Sequence, residues 1–194
     1  MQNMSLSNQL AALEADLAVN PPRISAYSEL PCALFQYDPD DEWALRRELD
    51  KLKTRLDNSG KRVHLLSLAR FRWQAVEQVE GLGPVVELEL AEGWEAAQRQ
   101  VGTYLSDPDF LDLSTAIAEA AAGLESQRDI LFLWRAAALS PSIYRPSKLL
   151  DQLKGKLLIP TVLFYPGVFD EYGLRFMGLP DRESSTSYRV KIYH

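Results

Sequence analysis

At 194 residues the chain is long enough for one domain with a sizeable core, and 46% hydrophobic with 25% charged residues is an ordinary globular composition that excludes collagenous, coiled-coil and wholly disordered chains. A single cysteine, Cys32, excludes an intrachain disulfide and a Cys-rich zinc site, and two histidines, His64 and His194, argue against a metal triad. The net charge of −6 is uneven: residues 129–194 hold 9 Lys/Arg against 6 Asp/Glu, and residues 1–128 hold 12 against 21. The last third is therefore mildly basic, but a surplus of three charges is weak evidence for nucleic acid, since phosphate binding usually rests on clustered Lys/Arg on one face.

The opening MQNMSLSNQL has neither a basic nor an apolar stretch of the secretory kind, so the expected location is the cytoplasm. The longest uncharged run, Leu157 to Phe169, is broken by two prolines and is far short of the roughly 20 apolar residues of a membrane helix. No membrane contact is expected.

Leu6, Leu10, Leu13 and Leu17 recur at helical spacing, which predicts an amphipathic helix ended by Asn20-Pro21-Pro22. It caps the core or offers an apolar face to a partner, including a second copy in a homodimer. Ala33 to Tyr37 reads as a strand, after which Asp38 caps a helix with Pro39 first, buried through Leu45, Leu49, Leu52 and Leu56 and stopped at Gly60. Arg62 to Ser67 and Leu68 to Val79 repeat the strand-to-helix unit. From Gly81 the character changes: Pro84 to Leu105 and Leu113 to Leu124 are Ala- and Glu-rich helical segments parted by Ser106-Asp107-Pro108.

Asp129 to Arg135 is the strongest strand, its uninterrupted apolar run suiting a central position covered on both faces. A loop through Ser140-Pro141 leads to a helix starting near Pro146, then to the strand Ile159–Tyr165 with Pro166-Gly167 as its turn. Leu174 to Gly178 and Tyr188 to Tyr193 are short strands expected to finish one edge, in antiparallel fashion. The fold class is α/β: a mostly parallel, Rossmann-like sheet with helices on both faces. One domain spans 1–194, with 1–20 an N-terminal helix and 84–125 a helical insertion.

Ligands in such a sheet bind beyond the carboxyl ends of the strands, so chemistry is sought there. The acids from Asp38 to Glu42 suit a magnesium ion, with Asp38 as first ligand, but helix capping and the helix dipole explain them without a metal. Arg145 and Lys148, with Arg135, frame a helix start that favours an anion, although no phosphate-binding glycine motif occurs anywhere and pairing of the arginines with carboxylates is the plainer reading. Tyr165, Phe169 and Tyr172 either face outward as an interface or pack beneath the next strand. At the C-terminus, alternation sets Tyr188, Val190 and Ile192 on one face and Arg189, Lys191 and Tyr193 on the other.

A catalytic inventory is missing. His64 lies within a strand and there is no nucleophile elbow, so it reads as structural; Cys32 has no basic neighbour and reads as a small buried hydrophobe. These residues describe a non-catalytic domain without a cofactor, with a nucleotide- or magnesium-binding enzyme or a direct nucleic-acid-binding module as alternatives.

Five stretches carry a resemblance: Phe35-Gln-Tyr37-Asp-Pro39 with Glu42 and Arg46; Arg135 with Leu139-Ser-Pro141 and Tyr144-Arg145-Pro-Ser147-Lys148-Leu-Leu150; Pro160 to Gly167; Leu174-Arg175-Phe-Met-Gly178; and Tyr188-Arg189-Val-Lys-Ile-Tyr193. In combination, from about Leu6 to Tyr193, the chain resembles the BrxB family of BREX bacteriophage-resistance systems. The resemblance implies a small cytoplasmic component of a defence island, working beside a PglX methyltransferase, a PglZ-like protein and a BrxC ATPase, with no established enzymatic activity; joined to the missing catalytic inventory, it leads to the expectation of an adaptor in host methylation and phage exclusion. It brings no catalytic residues to transfer. The motif positions Arg135, Tyr144, Arg145, Lys148, Tyr165, Arg175, Tyr188 and Arg189 stand as candidate interface or anion-binding residues.

Overall fold

The computed structural model describes residues 5–24, 31–140, 143–171, 173–179 and 190–194. Helix α1 (Leu6–Ala18) starts on Ser5, whose side chain accepts the Asn8 amide, and buries Leu10, Leu13 and Leu17. Strand β1 (Cys32–Tyr37) is buried throughout. Asp38 caps as expected, but Pro39 opens a single 3-10 turn over Pro39–Asp41 before α2 (Glu42–Asn58) begins, with Leu45, Leu49, Leu52 and Leu56 as its buried stripe. Full burial of each leucine is worth roughly 1.5–3 kcal/mol, so the stripe, not intrinsic propensity, holds α2.

Strand β2 (Arg62–Ser67) hands over directly to α3 (Leu68–Val79), capped by Ser67. The single helix expected from Pro84 to Leu105 is two, α4 (Leu82–Glu92) and α5 (Trp94–Ser106), because Gly93 takes φ 91, a left-handed value that ends one helix and starts the next. After α6 (Leu113–Ala120), β3 (Asp129–Trp134) is followed by a 3-10 turn over Ala136–Leu139 and α7 (Pro146–Leu153). The last described elements are β4 (Thr161–Asp170), β5 (Gly173–Phe176) and β6 (Lys191–Tyr193).

Among the described residues the strands run in the order β2-β3-β4-β1-β6, with β5 paired to β4. All pairs are parallel except β4 with β5. Two expectations need correction. β6 is parallel to β1 and forms the far edge, while β5 folds back on β4, so the two short strands do not finish a common edge. Pro166-Gly167 is not a turn: β4 runs through both residues, pairing Pro166 with Tyr37 and Gly167 with Phe176. Proline is tolerated there because β1 ends opposite it. β3 is interior, as its apolar run implies, but the middle strand is β4.

Alternation divides the core. On one face Ala33, Phe35, Val63, Ile130, Phe132, Val162 and Phe164 meet the leucines of α1 and α2. On the other, Leu34, Leu131, Leu133, Leu163 and Tyr165 meet α3, α5, α6 and α7. The apolar face of α1 is thus spent on the core, and the helix is fixed further where Asp16 accepts bonds from Lys191 Nζ and from Tyr193 Oη at 2.7 Å. No helix among the described residues is long and apolar enough to cross a membrane.

Candidate functional site

The connection leaving β1 passes to the α1/α2 face, whereas those leaving β2 and β3 pass to the opposite face. Such a divergence opens the crevice in which an α/β sheet holds its ligand. Here β4, which lies between β1 and β3, continues past their ends and folds back as β5. Gln36 secures this ridge, its buried Nε2 donating to Gly167 O at 2.6 Å. A Cβ on Gly167 would run into the Arg175 carbonyl oxygen and come within 2.6 Å of the Tyr165 ring. Gly167→Ala is therefore expected to lower stability by about 1–3 kcal/mol, read as a lower urea midpoint with an unchanged slope.

Beside the ridge, planar groups stack at the carboxyl end of β3. The Arg46 guanidinium lies 4.5 Å from the Trp43 ring centroid and 5.7 Å from that of Trp134, with Arg135 at 5.8 Å from Trp134. Arg46 Nε donates to Glu42 at 2.7 Å, and Glu42 in turn accepts from the Tyr37 hydroxyl. Burial, reinforced by the Glu42 carboxylate, raises the Tyr37 phenol well above its ordinary range. Trp134 Nε1 finds no partner among the described residues. The stack fixes one arginine between two indoles and leaves Trp43 exposed.

The candidate residues are distributed rather than convergent. Arg135 follows β3 with φ 59, a left-handed conformation rare outside glycine, asparagine and aspartate. Tyr144 is buried with its hydroxyl donating to Gln152, and burial together with the nearby Asp112 charge raises its phenol. Arg145 is the N-cap of α7 and exposed, and Lys148, also exposed, places its ammonium 5.3 Å from the Tyr144 ring. Tyr165 is buried with its ring 5.2 Å from that of Phe176 on β5. Phe169 is exposed and stacks on His194 with centroids 4.9 Å apart. Arg175 belongs to β5, opposite Val168. Tyr172, Tyr188 and Arg189 lie outside the described residues. Asp38 Oδ1 accepts the Asp40 amide at 3.0 Å, capping the Pro39–Asp41 turn.

The tightest polar cluster lies at the opposite, amino end of the sheet and was not foreseen. Arg62 opens β2 directly across from Asp129, which opens β3. Arg62 donates from Nε and Nη2 to the two Asp129 oxygens at 2.7 Å each, His64 Nε2 sits 2.9 Å from Oδ1, and the Glu125 amide donates to Oδ2 at 2.7 Å. Burial pushes the Asp129 carboxyl up, but the Glu125 amide, His64 and Arg62 outweigh it and hold it at about 2. A second closed set joins Asp112, Ser114, Thr115 and Lys156, where burial is again outweighed, by bonds from Thr115 and Ser114 and by the Lys156 charge, and Asp112 sits at about 2. Burial lifts the Cys32 thiol to about 12.

A family model described as BREX protein BrxB matches residues 64–192. No curated protein matches the chain, and no solved structure matches it. The matched stretch runs from β2 through β6 and includes the Arg46-facing Trp134, Arg135, the start of α7 and the β4–β5 ridge.

Proposed function

The chain belongs to the BrxB family and is thereby a component of a BREX phage-defence system, and from that premise we propose that it acts as a non-catalytic adaptor. In this reading it works in the cytoplasm and helps assemble the PglX methyltransferase, the PglZ-like protein and the BrxC ATPase for host methylation and phage exclusion. The observation that carries the reading is the state of the sheet's carboxyl edge. There β4 extends past β1 and β3 and pairs with β5, and the same edge carries Trp43 and Arg46, which are of the kind enriched at protein interfaces. The strongly shifted carboxylates, Asp112 and Asp129, are consumed in internal pairs, so neither is poised for proton transfer.

The test is co-purification of the tagged full chain, co-expressed with its neighbouring defence genes at moderate salt. A stoichiometric BREX component in the eluate is the expected result. Elution alone at every salt, together with methylation and phage exclusion that survive deletion of the chain, would sink the adaptor reading.

A further inference from the structure

Helix α4 packs on α5 and the end of α3, yet of its eleven residues only Val85 is buried. Leu82, Val86 and Leu90, spaced four apart, form one stripe along the outer side and are 53%, 43% and 83% exposed. Trp94, 52% exposed, opens α5 just past the Gly93 corner. A helix with apolar residues facing both the core and water leaves one face without a partner.

The charge around this stripe says what covers it. Between Trp73 and Gln98 the sequence has six glutamates and no lysine or arginine. All six are exposed, and none of Glu77, Glu87, Glu89, Glu92 and Glu95 forms an ion pair with a described residue. At 100° per residue, Glu87 and Glu89 flank the Leu82–Val86–Leu90 stripe on its two sides. Glu89 and Glu92 also stand in the last turn of α4, where the helix dipole disfavours acids and no basic residue compensates. This run of six glutamates, five of them without an ion pair to a described residue, disfavours a second copy of the same face, a nucleic acid and an anionic membrane alike.

We propose that the outer face of α4 is a docking surface for a basic amphipathic helix of a partner protein, its leucine-type residues laid along Leu82, Val86 and Leu90 and its Lys/Arg flanks set against Glu87 and Glu89. This deepens the adaptor reading by naming the chemistry of one partner segment and rests on that reading for its biological setting. The mode is helix-in-groove recognition, with apolar anchors supplying affinity and the flanking charges supplying orientation and association rate.

The experiment titrates the full chain with an 18-residue leucine/lysine amphipathic helix, a scrambled peptide of the same composition, and a leucine/glutamate counterpart, following binding by anisotropy. The ordered basic peptide is expected to bind at least tenfold tighter than the scrambled one, and the acidic peptide not at all. The triple variant Leu82→Ser/Val86→Ser/Leu90→Ser should lose at least tenfold in affinity with an unchanged melting curve, and Glu87→Lys/Glu89→Lys should shift preference toward the acidic peptide. Equal binding of ordered and scrambled peptides, unaltered affinity in both variants, or self-association that the serine variant abolishes would overturn the proposal. Co-purification separates the two readings. BREX components that elute with the serine variant as they do with the wild type would remove this surface and leave the adaptor role standing. Absence of any component with the wild type, together with methylation and phage exclusion that survive deletion of the chain, would remove the adaptor role itself, while the peptide titration still decides the surface.

Discussion

Asp129→Ala is expected to lower folding stability by about 3 kcal/mol, the lower end of the cost of breaking a buried ion pair, because half-exposed Arg62 can turn to water once released. Two other losses accompany it: the bond to His64 and the bond from the Glu125 amide. The wild type should show the same dependence in acid. A carboxylate held at about 2 in the fold, against an ordinary value of 3.8, stabilises fully above the ordinary value and loses that contribution as the pH falls from about 4 through 2. Asp112 adds to the same limb. Urea midpoints between pH 2 and 7 should therefore fall steeply below pH 4 in the wild type and less steeply in Asp129→Ala. A variant within 1 kcal/mol of wild type at pH 7, with an identical acid limb, would refute the role given to this cluster.

That cluster also shows where sequence reading stops. Leu45, Leu49, Leu52 and Leu56 announce α2 because helical periodicity is local, and β3 is legible because Ile130 to Leu133 form an unbroken apolar run. Arg62 and His64 lie 67 and 65 residues before Asp129, and only the parallel register of β2 with β3 brings them to it. Pro166-Gly167 carries a strong local turn signal, but β1 has no further residue to pair beyond Tyr37 and β5 supplies the partner for Gly167, so tertiary context keeps the strand going. Tyr188 to Tyr193 alternates like an edge strand, and alternation cannot distinguish parallel from antiparallel pairing. The α4 stripe was hidden for a different reason: an apolar helix reads as buried, and its exposure depends on how little of α3 and α5 reaches it.

Phe164→Ala is expected to cost more than any surface substitution, about 3–5 kcal/mol. The residue occupies the middle strand and is fully buried, with ring centroids 5.3 Å from Phe35 on β1 and 5.1 Å from Phe132 on β3. The cavity would open where three strands meet the leucines of α1 and α2, and neither neighbouring ring can fill it without leaving the other core residues it touches. Guanidinium unfolding should register the loss as a lower midpoint, and a change below 1.5 kcal/mol would mean that the two facing helices collapse onto the vacancy. The variant also calibrates the functional experiments, since its residual folded fraction should bind the basic amphipathic peptide with wild-type affinity because α4 lies on the opposite face of the sheet. Phe164→Ala and the Leu82/Val86/Leu90 serine variant should thus be mirror images: stability lost with affinity kept in one, affinity lost with stability kept in the other.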